Sequence, residues 1–90
     1  MSLEINQLRM KIMRQKLAEA LRPTLLEISD ESLLHIGHAG AKSGAGHFAL
    51  RIKADCFAGQ SKIAIHRMIY AALDNMIPAE IHALRIIIAA

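Results

Sequence analysis

Four of the chain's five glycines and three of its five histidines fall in one short stretch, HIGHAGAKSGAGHF at residues 35–48. No regular helix crosses such a stretch, because each glycine costs about 1 kcal/mol relative to alanine in a helix interior. It must therefore be a loop, and it divides the chain into two halves that are read by their own periodicities.

Upstream, Ile5, Leu8, Ile12, Met13, Leu17, Ala20 and Leu21 recur at spacings of three and four, the pattern of an amphipathic helix. Ser2 is its expected cap, and Glu4 falls in the first turn, where a carboxylate complements the helix dipole. Pro23 stops the helix, since it lacks an amide hydrogen and disfavours helical geometry at Arg22. TLLEIS at 24–29 reads as a strand, and Asp30, Glu31 and Ser32 mark a turn or bulge.

Downstream, Phe48, Leu50, Ile52 and Ala54 alternate with Ala49, Arg51, Lys53 and Asp55, so HFALRIKAD at 47–55 is a strand with one wet face. Joined to the first strand by a loop, it is expected to pair antiparallel. FAG at 57–59 is a turn, and Ser61 caps a second long helix. The predicted inner stripe of that helix is Ile63, His66, Ile69, Tyr70, Leu73 and Met76, with Pro78 at its end. IHALRIII at 81–88 closes the chain as a strand. Strict alternation puts His82, Leu84, Ile86 and Ile88 on one face and Ile81, Ala83, Arg85 and Ile87 on the other. The order helix, strand, strand, helix, strand predicts a small α+β fold, a three-stranded sheet with helices on one face.

Ninety residues suit one domain, 1–90, too small for a deep, walled catalytic cleft. Aromatics are 3% of a chain that is 53% hydrophobic, so the core must be aliphatic. The apolar run at 86–90 is far short of the roughly 20 residues that span a bilayer, and no secretory leader is read at the start. The single cysteine, Cys56, has no internal partner for a disulfide, which fits a reducing, cytoplasmic setting. The net charge is +3, and its basic excess concentrates in RMKIMRQK at 9–16, read as a solvated helix face able to touch phosphate or an acidic partner.

Among the histidines, His35 and His38 stand three apart on the loop, where spacing alone fixes no geometry. His47 is expected as a strand-edge imidazole bonded to backbone or water, and His66 as a hydrogen-bonded packing residue on the second helix's apolar stripe. His82 shares the Leu84 face by periodicity, which makes it partly buried, yet a strand's first residue lies near the rim, where a ligand can reach. There is no nucleophile signature and no close carboxylate pair, so an enzyme is not expected. One cysteine excludes a zinc finger. GAKSGAGHF is no phosphate-binding loop, because Lys42 and Ser43 precede Gly44 instead of following a glycine.

Taken together, DES (30–32), HIGHAG, GHF (46–48), FAG, HRMIY (66–70) and IHAL (81–84) resemble the BolA-like family, in order and spacing over nearly the whole chain. The resemblance implies a helix, two antiparallel strands, a short helical turn near Phe57, a long helix and a closing strand, similar to the type II KH arrangement. It implies a partner, a monothiol glutaredoxin, and a 2Fe–2S cluster shared with that partner and glutathione, with none held by the isolated chain. His82 matches the family's histidine of the HAL motif and is the first candidate iron ligand. The second comes from the loop between the first two strands, with His35 the best match and His38 next. Cys56 falls at a variable position and is not that loop ligand.

The expected function is thus a non-enzymatic glutaredoxin partner in iron–sulfur trafficking or in iron or redox sensing, a monomer or weak homodimer with no membrane role. The alternative, also implied by the resemblance, is a DNA-binding, stress-response transcriptional regulator that affects cell morphology. It would use Lys62 and Arg67, although GQSK at 59–62 lacks the second glycine of a KH clamp. A third reading is a small zinc-binding domain using His35, His38 and His47.

Overall fold

The computed structural model describes residues 3–32, 45–77 and 79–90. A helix α1 (Leu3–Leu21) leads into strand β1 (Leu25–Asp30). Strand β2 (Gly46–Lys53) follows, then a 3-10 turn at Asp55–Phe57, helix α2 (Lys62–Leu73), a second 3-10 turn at Asp74–Met76 and strand β3 (Ile81–Ile88). The sheet order is β1-β2-β3, with β2 central, antiparallel to β1 and parallel to β3. A parallel pair needs a crossover, and α2 supplies it. The α+β arrangement and the short turn before Phe57 agree with the expectations above.

Local chemistry explains the element ends. Arg22 adopts a left-handed φ of 48° and its N–H donates to the Ala18 carbonyl at 3.1 Å, closing α1 just before Pro23. Ser61 caps α2, its hydroxyl oxygen accepting from the Ala64 N–H at 3.1 Å. The α-helical part of α2 stops at Leu73, short of Pro78, because Asp74 takes a positive φ and the chain tightens into a 3-10 turn.

The core lies between the helices and the inner face of the sheet. Phe48, Leu50 and Ile52 of β2 are buried against Met13 and Leu17 of α1 and Ile69 and Leu73 of α2, with Met76 and Ile81 completing the layer. Each such side chain contributes roughly 1.5–3 kcal/mol by leaving water. Among the described residues no helix covers the outer face of the sheet, which carries Glu27, Ser29, Arg51, Lys53 and Arg85.

Both helices are rolled relative to the periodicity reading. On α1 the buried line is Asn6, Arg9, Met13, Leu17 and Leu21, while Ile5, Leu8 and Ala20 are exposed. On α2 the buried line is Ile65, Ile69 and Leu73. Ile63 (66% exposed), His66 and Tyr70, expected inside, line the outward face.

Gly46 is a close-approach position, since a Cβ there would overlap the Phe48 ring edge and stand 3.1 Å from Asn6 Oδ1. Both neighbours are buried and cannot swing aside. Gly46→Ala is expected to destabilise the fold by about 1–3 kcal/mol, as overpacked cores do; a thermal melt with an unchanged midpoint would contradict this packing.

Candidate functional site

The pairing of β2 with β3 slips at one point. Gly46 is opposite Ile81 and His47 is opposite Ala83, leaving His82 as an extra residue on β3. Such a bulge re-aims the side chain of the inserted residue, and bulges recur beside functional sites. Ile81 is fully buried and Leu84 packs on the same core, while His82 between them is exposed. His82 therefore does not share the Leu84 environment as strict alternation required, and it stands at the accessible rim.

His47 sits on the central strand, not on a sheet edge, and is 4% exposed. Its ring meets that of His82, with centroids 5.1 Å apart and planes inclined at 53°. Its backbone is held on the β1 side: its N–H donates to Ser32 Oγ at 3.1 Å, and its carbonyl accepts from the Glu31 N–H at 2.7 Å. One imidazole of the pair is anchored in the sheet and the other faces solvent.

A buried polar cluster supports this corner. Asn6 of α1, 1% exposed, donates through Nδ2 to Asp30 Oδ2 at 3.0 Å and to Ser32 Oγ at 3.2 Å. Its Oδ1 accepts from Arg9 Nη1 at 3.0 Å. Asp30 Oδ1 accepts from the Ser32 N–H at 2.9 Å, forming a local side-chain turn. Ser32 Oγ thus receives hydrogen bonds from both Asn6 and the His47 amide. Beside the cluster, Arg85 of β3 reaches Glu31 through a two-point ion pair, at 2.7 and 3.2 Å. That hydrogen bond and the carboxylate charge raise the Arg85 guanidinium above its already high ordinary value.

His35 and His38 lie outside the described residues. The segment that carries them, 33–44, begins directly after Ser32 and ends before Ala45, so both of its attachment points are at the His47 corner. Lys62, His66 and Arg67 are exposed on α2, with His66 and Arg67 beside Ile63 and Tyr70 on its outward face. Cys56 is exposed beyond the far end of β2 from His47, its thiol within 3.6 Å of the Leu21 carbonyl oxygen. Among the described residues no group of three or more His, Cys, Asp or Glu side chains is arranged to hold a metal.

Asn6 escaped the sequence reading, and Arg9, read there as part of a solvated basic face, is buried at 8% exposure; both are in phase with Met13, Leu17 and Leu21 at helical spacing. Periodicity counts apolar residues, and a polar pair at the buried end of the stripe is invisible to it.

Residues 17–90 match the sequence profile of BolA-like protein. The chain is 42% identical over 79 residues to SufE-like protein 1, chloroplastic/mitochondrial, of Arabidopsis thaliana, covering 82% of this chain and 21% of that protein. It is 39% identical over 70 residues to the DNA-binding transcriptional regulator BolA of Escherichia coli (strain K12), covering 78% of this chain and 64% of that one. The chain thus spans about a fifth of the first relative and just under two thirds of the second. The structure of the BolA domain of SufE1 from Arabidopsis thaliana superposes with a TM-score of 0.77 at 40% identity, covering 89% of this chain and 88% of that chain.

Removing the Asn6 side chain leaves Ser32, Asp30 and Arg9 each short of a partner. Asn6→Ala is expected to cost about 1–3 kcal/mol, the penalty for unsatisfied buried polar groups. Urea denaturation reads this directly, with Gln7→Ala on the exposed side of α1 as a control that leaves the midpoint in place.

Proposed function

The chain belongs to the BolA-like protein family, and from that premise we propose that it is a non-enzymatic partner of a monothiol glutaredoxin. The two proteins share a 2Fe–2S cluster, in iron–sulfur trafficking or in iron or redox sensing. The observation that carries this reading is the bulge that turns His82 to solvent beside the two attachment points of the 33–44 segment. His82 is then one iron ligand, and His35 or His38 of that segment is the other.

The donor set fits. This corner offers imidazoles, and the one thiol, Cys56, is beyond the other end of β2, so thiolate ligands come from glutaredoxin and glutathione. When such a cluster is bound, neutral histidines in place of thiolates raise its potential, as they do in Rieske centres. Cytoplasmic residence and a single-domain organisation belong to the same reading. Among the described residues no helix is long and apolar enough to cross a membrane.

Mixing the chain with a monothiol glutaredoxin, iron, sulfide and glutathione is expected to give visible absorption and circular dichroism unlike those of the glutaredoxin homodimer. His82→Ala should abolish the new spectrum while His66→Ala leaves it, and comparing His35→Ala with His38→Ala identifies the second ligand. An unchanged spectrum for His82→Ala would refute the assignment.

A second reading draws on the outward face of α2, where Lys62 and Arg67 are exposed, and on the Escherichia coli relative named as a DNA-binding transcriptional regulator. Here the chain binds DNA through phosphate contacts. Affinity should then fall steeply with salt, and neutralising Lys62 or Arg67 should each reduce the log–log slope by about 1. Salt-independent titrations would dispose of this reading.

A further inference from the structure

We propose that the open edge of β3 is a homodimer interface, on which a second copy of this chain lays its own β3 antiparallel about a twofold axis at Ile86. The two three-stranded sheets then continue as one. The paired stretch, 84–88, leaves His82 outside it, so the inference goes beyond the cluster reading and does not rest on it.

The ladder decides which backbone groups are on offer. The Ala89 N–H donates to the Ile52 carbonyl at 2.9 Å, and residues along a strand alternate in the side to which their backbone groups point. Arg85 and Ile87 therefore bond inward to β2, opposite Ala49 and Arg51. Leu84, Ile86 and Ile88 turn their N–H and C=O groups to the edge, where no partner meets them among the described residues. Such a row is a ready template for another strand.

The opposite edge is guarded. On β1 the outward residues are Leu26, Ile28 and Asp30, because Glu31 bonds inward to His47. Arg14 of α1 reaches the Leu26 carbonyl at 3.4 Å, Asn6 holds the Asp30 carboxylate, and Glu27 adds charge. Beyond the bulge, β3 has no proline, no lysine and one charged residue, Arg85, whose guanidinium is taken by Glu31 of the same chain at 2.7 and 3.2 Å.

This edge is complementary to itself. A twofold axis at Ile86 sets Ile86 against Ile86 and Leu84 against Ile88, so the three outward-turned residues of each copy exchange N–H···O=C bonds with those of the other. On the helical face Leu84, Ile86 and Ile88 are only half-buried, and in this register they meet their counterparts in one apolar strip. On the outer face Arg85 falls beside Ile87 of the other copy, which is 39% exposed, so like charges do not meet. An axis at Arg85 would set two guanidinium groups opposite each other, a destabilising pair. Hydrogen bonds, apolar surface and charge thus agree on one isologous contact.

The test uses the full chain without an affinity tag. Analytical ultracentrifugation over rising concentration is expected to pass from monomer to dimer. Over the same range, amide hydrogen exchange read by nuclear magnetic resonance should slow at Leu84, Ile86 and Ile88, while Ile28 on the β1 edge keeps its rate. Ile87→Lys sets a cation against Arg85 of the other copy and should weaken association about tenfold, and Ile87→Glu, which offers Arg85 a counter-charge, should strengthen it. Both substitutions fall on an exposed side chain, and the exchange measurement needs no variant.

A chain that stays monomeric at millimolar concentration, a dimer whose protected amides lie outside 84–88, or a dimer indifferent to the sign of the charge at 87 would each overturn the proposal. Protection of Ile86 only once a monothiol glutaredoxin is added would give the edge to that partner and overturn it as well. The cluster spectrum, read through His82, can fail without moving any of these readouts.

Discussion

A regular strand cannot place residues three apart on one face, yet Ile81 and Leu84 both pack on the helical side of the sheet. The bulge resolves that conflict by inserting one residue, and the inserted residue is His82. Hydrophobic burial at two neighbouring positions thus forces an imidazole outward. The slip occurs in a parallel pair, where bulges are rare, and it falls opposite the start of the central strand. The candidate site is in this sense a by-product of core packing, and removing either apolar neighbour removes the reason for the bulge.

The second constraint is polar. The end of β1 and the start of β2 are brought together by the antiparallel register and then fastened by Ser32, whose hydroxyl joins the His47 amide to Asn6. Helix α1 therefore does more than cover the sheet: through Asn6 and Arg9 its first turns reach the corner where the glycine-rich segment begins and ends. Buried hydrogen-bonded groups of this kind tolerate little rearrangement, since each lost bond leaves a desolvated atom behind.

Most of the architecture was legible in the chain's own patterning. Clean alternation in β2, the proline after α1 and the serine cap of α2 marked elements that the structure contains at nearly those positions. What was not legible has specific physical causes. On α2, Ile63, His66 and Tyr70 repeat at helical spacing as regularly as Ile65, Ile69 and Leu73, and periodicity alone does not decide which line faces the sheet. On α1 the buried line includes an asparagine and an arginine. At His82 the alternation rule fails because of the inserted residue, and the pairing of His47 with His82 depends on a parallel register joining residues far apart in sequence. His35 and His38 were singled out from the sequence and lie outside the described residues.

One feature of β2 links its two faces. Phe48 is buried in the core and His47, its immediate neighbour, meets the ring of His82, so a single peptide unit stands between the close approach of Gly46 to the phenyl ring and an imidazole of the candidate site. Because interiors are close-packed, repacking around that phenyl ring carries over to the imidazole next to it. A substitution made to tighten or loosen the core at Gly46 or Phe48 is in the same stroke a substitution beside the exposed rim of the sheet.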